Sequence, residues 1–294
     1  MKIHFIGVGK MGLPMAGHLR SAGHELTVQD VDQERIALAH AQGLEAVASD
    51  TGIRSADAVF SSLPHDQALL AVARLVASHA NGGLVFVDTS TVSPQASAAA
   101  ASLLGPAGVP YLRCTVSGNN KMAEAAQLMM MVSGPRATHD RLLPLLSSFG
   151  PNCFYLGDAE QARLMKLVVN LMIAQTSAML SEALTLGRKG GLDWQDMWQV
   201  LGASAVASPI LKAKSAQLSL RDFTPTFTVE QMLKDIGLIL DAGAASDVPL
   251  PQTAMTQQLM RAAMAQGDGQ QDYAATIKTA ERSAGLAPLP EAGA

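Results

Sequence analysis

The chain has 294 residues, 48% of them hydrophobic and 16% charged, with a formal net charge of −4. That length accommodates two domains and a large core, while the slight acidity and the lack of any basic block argue against nucleic acid as a partner. Cys114 and Cys153 have neither CxxC spacing nor a neighbouring histidine, so both read as core thiols, and neither a disulfide scaffold nor a metal site is expected.

At the N-terminus KIHFI (2–6) predicts a short buried strand rather than a signal peptide, and hence a cytoplasmic protein. It runs directly into Gly7-Val8-Gly9-Lys10-Met11-Gly12, a G-x-G-x-x-G turn that opens a helix to about Ala22, closed by Gly23. Gly7 permits the tight turn, Gly9 lets backbone approach a pyrophosphate, and Gly12 brings the helix close to the strand. Amides at the helix N-terminus then face the phosphates. The next strand, ELTVQD, ends at Asp30, 18 residues beyond Gly12. A carboxylate there accepts hydrogen bonds from ribose hydroxyls. The alternative for Asp30 is a solvated turn residue before Asp32. Strand, glycine turn, helix, strand and acid in this order favour the cofactor.

Alternation of β and α continues. DAVFSSL (57–63) predicts a strand ending in Leu63-Pro64, followed by an amphipathic helix over 66–80. LVFVDTST (84–91) predicts the next strand, and Pro94 opens an alanine-rich helix to about Leu104. Ser61, Ser62, Asp88, Thr89, Ser90 and Thr91 gather at strand ends, where open parallel sheets bind ligands; Ser93 reads as a helix cap. From 108 to 156 the pattern persists in VPYLRC, LMMMVSG, a helix near 138–148, and CFYLG. Between them 117–121, Ser-Gly-Asn-Asn-Lys, concentrates hydrogen-bond donors. It suits a carboxylate or other anion, or else forms an Asx turn capping a helix from Met122.

Residues 157–190, rich in Leu, Met and Ala and free of proline, predict one long helix, apolar almost all round and therefore buried. Gly157 and Asp158 punctuate its start and Gly187, Gly190 and Gly191 its end. No uninterrupted apolar run reaches membrane-spanning length, so no membrane partner is expected. Lys166 and Asn170, four apart, share a helix face. Taken alone, Lys166 reads as a lysine snorkelling to water; a cofactor domain upstream gives the pair something to act on. Beyond 190, five helical segments (194–203, 208–218, 228–246, 251–266 and 272–284) predict an all-α half, with a frayed tail over 285–294. The expected architecture is an α/β doubly wound parallel sheet over 1–158, then an all-helical substrate and oligomerisation domain over 159–294.

In this order the motifs resemble the β-hydroxyacid dehydrogenase family. GVGKMGLPMAGHL (7–19) is similar to its cofactor signature, and Leu63-Pro64 and Asp88-Thr89-Ser90-Thr91-Val92-Ser93-Pro94 to its second and third cofactor-side segments. TVSGNN (115–120) stands at its substrate loop, Lys166 and Asn170 at its catalytic lysine and asparagine, and Phe227 through Lys234-Asp235 at a segment whose lysine reaches toward the nicotinamide. Gly267, Gly269 and Asp272 also match a recurrent pattern. The resemblance implies reversible hydride exchange between a nicotinamide and a small 3-hydroxy acid of the 3-hydroxyisobutyrate or tartronate semialdehyde kind. Lys166 would be general acid and base, with its apolar neighbours lowering its pKa, and Asn170 its companion. Ser117, Gly118 and Asn119 would hold the carboxylate. Gly7, Val8, Gly9, Lys10, Met11, Gly12, Asp30, Leu63, Pro64, Thr91 and Lys234 would hold the cofactor.

The family closes its site between domains and associates through the helical half, implying a homodimer or homotetramer. Asp30-Val31 replaces the Asn-Arg common in NADP-dependent relatives, which implies NAD. Arg113-Cys114-Thr115 and Asn119 depart from the usual Asp-Ala-Pro and second glycine, which leaves the substrate open. Two competing readings are an imine reductase on a similar fold, which typically has Asp or Tyr in place of Lys166, and a non-catalytic NAD-binding protein. An oligomeriser built on the helical half alone would leave the glycine turn without a purpose.

Overall fold

A computed structural model describes residues 1–80 and 82–290. Strands β1 (Lys2–Ile6), β2 (Glu25–Gln29), β3 (Glu45–Ala46), β4 (Ala58–Ser61), β5 (Val85–Asp88), β6 (Tyr111–Ser117), β7 (Met129–Ser133) and β8 (Asn152–Tyr155) form one sheet, ordered β3-β2-β1-β4-β5-β6-β7-β8. Its first six strands are parallel in the order of a dinucleotide-binding sheet. The parallel expectation fails at β7, which runs antiparallel to β6 and carries β8 parallel to itself. The connection over 118–128 is too short for a helical crossover, so the chain doubles back.

Helices α1 (Gly12–Ser21), α4 (Asp66–Ser78), α5 (Pro94–Leu104) and α7 (Arg136–Leu146) match expectation, and α6 (Asn120–Glu124) opens the returning connection. Helices α2 (Gln33–Ala41) and α3 (Ser49–Ser55) and strand β3 carry little sequence signal: α2 buries Ala39 alone and β3 is two residues long. Strand alternation sorts the core. Phe5, Phe60, Val85, Val87, Leu112 and Cys114 pack on one face of the sheet. Ile6, Val59, Phe86 and Tyr111 pack on the other with the apolar sides of α4 and α5. Cys114 is buried and its thiol is pushed up by desolvation; Cys153, on the edge strand, is only partly buried.

His4 is fully buried, its Nδ1 2.9 Å from Thr27 Oγ1, and α3 presses so near that a Cβ on Gly52 would lie 2.1 Å from the ring. Burial disfavours the imidazolium and lowers the pKa to about 4. Between pH 6.5 and 4 the unfolded chain binds a proton here that the folded chain refuses. Stability is therefore full above that window and falls by up to about 3 kcal/mol across it on acidification. Thermal melts from pH 7.5 to 4.5 should show this loss, and His4→Asn should flatten it; an equal acid slope in the variant would assign the loss elsewhere.

Helix α8 (Gln161–Lys189) is continuous, and the chain divides into two compact units within it, Met1–Lys166 and Leu167–Ala294. The second unit contains the rest of α8, then α9 (Trp194–Ala203), α10 (Pro209–Leu218), α11 (Val229–Ala245), α12 (Pro251–Ala265), a 3-10 turn (Tyr273–Ala275) and α13 (Thr276–Ser283). Asp193, Ser208 and Thr228 cap their helices as such residues should, Thr228 in a reciprocal capping box with Gln231. Gly187 does not end α8: it lies inside, where a Cβ would meet Met197 Sδ at 2.2 Å, so α9 packs closely there. Of the tail expected to fray over 285–294, the last four residues lie outside the described residues.

The expectation of a helix buried all round is corrected. One face of α8 joins the core of the second unit through Ala174 and Leu184, and Ser177 and Ser181 contact Thr276. The other exposes Met165, Met172, Met179 and Leu186, seven residues apart. Among the described residues α8 is also the one helix long and apolar enough to cross a membrane, at a mean hydropathy of 1.4. The sequence reading missed this because Lys166, Asn170, Gln175 and Glu182 interrupt the run.

Candidate active site

The G-x-G-x-x-G turn sits at the carboxyl end of β1, where the strand order reverses between β1 and β4. Gly7 has φ +90°, and a Cβ there would lie 2.3 Å from Ser62 O; one on Gly12 would lie 1.9 Å from Gly7 O. Both glycines are therefore obligatory to the fold. Gly9 differs, since a Cβ there would meet nothing within 4 Å. Among the described residues no side chain caps α1 at Met11; Leu13 N donates back to Gly9 O at 3.0 Å and Pro14 brings no N–H, so the Gly12 amide heads the helix. A backbone cradle open at Gly9, at a helix N-terminus without a side-chain cap, fits a dinucleotide pyrophosphate.

Asp30 stands directly after β2. Its Oδ2 accepts from Val8 N at 2.7 Å and its Oδ1 from Asp32 N at 3.0 Å. The carboxylate is thus both a turn residue and the tie between β2 and the glycine turn. From Gly9 and Lys10 an open groove of about 810 Å³ runs along α1, lined also by His18, Arg20, Arg35 and Asn120 and not by Asp30. Arg35, one turn into α2, brings a guanidinium into the surroundings of the turn, which a reading of Asp30-Val31 alone does not reveal.

The second and third segments are bound to each other. Leu63 N donates to Ser90 Oγ at 2.8 Å, and Asp66 accepts from Ser93 N at 2.9 Å and from Ser93 Oγ at 2.6 Å. Ser93 Oγ also caps α5 through Ala96 N, as expected. Most hydroxyls grouped by sequence as ligand-facing are buried and internally bonded. Ser61 and Ser90 donate to Asp88 Oδ1 at 2.5 and 2.6 Å, and Thr89 donates to Ser61 O at 2.7 Å. Thr91 is partly exposed.

In the loop after β6, Asn119 resolves the two alternatives toward a cap. Its Oδ1 accepts from Met122 N at 3.0 Å, with extended backbone that needs no glycine. Gly118 does need to be glycine: its φ is +137° and a Cβ would lie 2.7 Å from Leu128. Ser117 ends β6, and Lys121 is exposed. The departure at Arg113 points away from this loop. Its guanidinium is buried, lies 4.4 Å above the Tyr111 ring and is hydrogen-bonded to Glu160.

On α8, Asn170 is 4% exposed and its Nδ2 donates to Asp235 Oδ2 at 2.5 Å. Asp235, 1% exposed, also holds Lys234 Nζ at 2.8 Å from Oδ1. An ionised carboxylate only accepts, which fixes the Asn170 amide with nitrogen toward Asp235 and oxygen away. The Lys234-Asp235 segment stands out in the sequence, but the sequence gives a role to its lysine alone, whereas Asp235 is the group that links Lys234 to Asn170. Lys166 is partly exposed, and of its apolar neighbours Leu167 is buried whereas Leu164, Met165 and Val168 are exposed. The expected desolvation by sequence neighbours is therefore not seen, because adjacent helix residues point in different directions.

Two family models cover most of the chain. The NAD binding domain of 6-phosphogluconate dehydrogenase matches residues 2–157, and the NAD-binding region of NADP-dependent 3-hydroxyisobutyrate dehydrogenase matches residues 161–280. Similar curated proteins include 2-(hydroxymethyl)glutarate dehydrogenase of Eubacterium barkeri, 35% identical over 97% of both chains. Another is 2-hydroxy-3-oxopropionate reductase of Escherichia coli (strain K12), 30% identical over 96% of this chain and 97% of its own. Among solved structures, Mycobacterium tuberculosis 3-hydroxyisobutyrate dehydrogenase with L-serine aligns with a TM-score of 0.87 at 27% identity, over 94% of this chain and 98% of that one.

Proposed function

The chain belongs to the β-hydroxyacid dehydrogenase family, as an oxidoreductase of hydroxy acids with a nicotinamide cofactor, and we propose that Lys166 is its general acid and base. The observation that carries this reading is the pair on α8: Lys166 one turn before Asn170, whose amide is locked by Asp235. The cofactor supplies reversible hydride exchange when bound. Lys166 gives a proton to the substrate oxygen in reduction and takes it back in oxidation. With its nitrogen held by Asp235, Asn170 presents an oxygen, the group that accepts from a substrate hydroxyl. Asn119 has its oxygen in the cap, which leaves its NH₂ as a donor beside Ser117 and Gly118 for the carboxylate.

The proposed substrate is a small 3-hydroxy acid like 3-hydroxyisobutyrate or tartronate semialdehyde. Gly7, Val8, Gly9, Lys10, Met11, Gly12, Asp30, Leu63, Pro64, Thr91 and Lys234 are assigned to the cofactor. Residues 1–158 are assigned to cofactor binding, and 159–294 to substrate binding and self-association. The exposed stripe of Met172, Met179 and Leu186 suits a helix of a second copy, so a homodimer or homotetramer is proposed.

The test is a panel of free 3-hydroxy acids, their amides, aldehyde acids and cyclic imines, followed by NADH and NADPH absorbance. Free acids should exceed their amides in kcat/KM by at least tenfold, since a charged acceptor is lost from a donor-rich loop. Equal values would remove the carboxylate assignment, and turnover of imines alone would replace the whole reading. NAD should be preferred to NADP, because a 2′-phosphate meets the Asp30 carboxylate at a cost of several kcal/mol. Arg35 is the cation to which residual NADP turnover is assigned. A preference for NADP would show that Arg35 outweighs Asp30.

A further inference from the structure

One row of side chains crosses β4, β5, β6 and β7 in register: Ser61 beside Asp88, Asp88 beside Arg113, and Arg113 beside Ser133. Strand alternation turns the whole row to one face of the sheet. Three of its members bind the start of α8. Ser133 Oγ donates to Ala159 O at 2.6 Å and accepts from Ala162 N at 3.1 Å, Arg113 pairs with Glu160, and Asp88 pairs with Arg163. Thr115, two residues along β6, adds a bond to Ala162 O at 3.0 Å.

Arg163 is the hub of this arrangement. It is 1% exposed, and its fork reaches Asp88, Ser90 O at 2.6 Å, Tyr111 OH at 2.8 Å and Ser97 Oγ at 3.2 Å. Ser90 in turn holds Leu63 N, so one guanidinium joins both cofactor-side segments to the helix. Lys166 follows Arg163 by three residues and shares its side of α8.

We infer that Arg163 is a positioning residue, which fixes the turn of α8 carrying Lys166 against segment 88–91 and so sets where the ammonium stands relative to the cofactor. This rests on Lys166 being the general acid and base. A buried cation held at four points has little freedom, and lysine cannot replace its planar fork. Tyr111 OH accepts from one arm of that fork, and phenylalanine removes the acceptor without leaving a cavity.

The experiment compares wild type, Arg163→Lys, Tyr111→Phe, Lys166→Ala and the double variant Arg163→Lys/Lys166→Ala. Folding is checked by thermal melts, NADH affinity by fluorescence titration, and protection of 161–168 by hydrogen exchange without cofactor. In Arg163→Lys, kcat should fall at least tenfold while substrate KM and NADH Kd stay within threefold, and 161–168 should exchange faster. Tyr111→Phe should change in the same direction by about threefold and serves alone if Arg163→Lys does not fold. The double variant should be no slower than Lys166→Ala, since a residue acting through Lys166 has nothing left to act on.

Multiplied losses in the double variant, or wild-type kcat and protection in the folded variants, would overturn the inference. So would equal losses in NADH affinity and kcat, the mark of a general packing defect. Wild-type turnover in Lys166→Ala would instead overturn the proton-transfer assignment, which separates the two failures.

Discussion

Lys166→Ala should abolish most turnover and leave the protein folded with near-normal cofactor affinity. A general acid–base group contributes roughly 10²–10⁴-fold, so kcat should fall within or beyond that range. Lys166→Arg should not restore it, because a guanidinium keeps its proton at any working pH. Alcohol oxidation needs the unprotonated amine, so wild-type kcat/KM should rise with pH, and this limb should disappear in Lys166→Ala. A lysine that only snorkels to water makes the opposite forecast. It sits partly exposed on α8, and trimming it to alanine, the best helix former, would then cost neither activity nor stability. Near-normal turnover in the variant would return α8 to a packing role.

The second large effect separates two glycines of the same turn. Gly9→Ala adds a methyl where nothing lies within 4 Å, so melting should stay within about 0.5 kcal/mol of wild type, as for neutral surface changes. The same methyl stands in the cradle assigned to the pyrophosphate. NAD affinity should therefore drop roughly ten- to hundredfold, about 1.4–2.7 kcal/mol. Gly7→Ala behaves otherwise. It combines φ +90° with a Cβ 2.3 Å from a backbone oxygen, so it should cost more than the roughly 1–2 kcal/mol of left-handed backbone alone. Calorimetry and NAD titration on both variants decide the matter. Unchanged NAD affinity in folded Gly9→Ala would place the phosphates elsewhere.

Much of this was legible before any coordinates. The glycine turn, Asp30 and the long proline-free helix are local signals, in which spacing alone dictates geometry. What escaped was non-local. That β7 runs backwards depends on the length of a connection, and that α8 shows an apolar stripe depends on which side its neighbours cover. The strand-end hydroxyls looked like ligand groups because a sequence gives their position and not their partners. Ser61 and Ser90 in fact answer to Asp88, and Asp88 to Arg163, 75 residues further on. Asp235 carries no role in the sequence for the same reason, since its meaning comes from Asn170, 65 residues before it.

The pairing of Asp88 with Arg163 also bears on how the chain is made. A ribosome releases all eight strands before the arginine, so the sheet is complete in order while a carboxylate at its centre still lacks its cation. Removing one partner of such a buried pair typically costs about 3–5 kcal/mol. Until α8 emerges the nascent sheet therefore lacks stabilisation of that order, and its full stability is tied to the arrival of that helix. A shortened gene ending at codon 158 would stop five residues short of the cation. One that continues through the first turns of α8 supplies it.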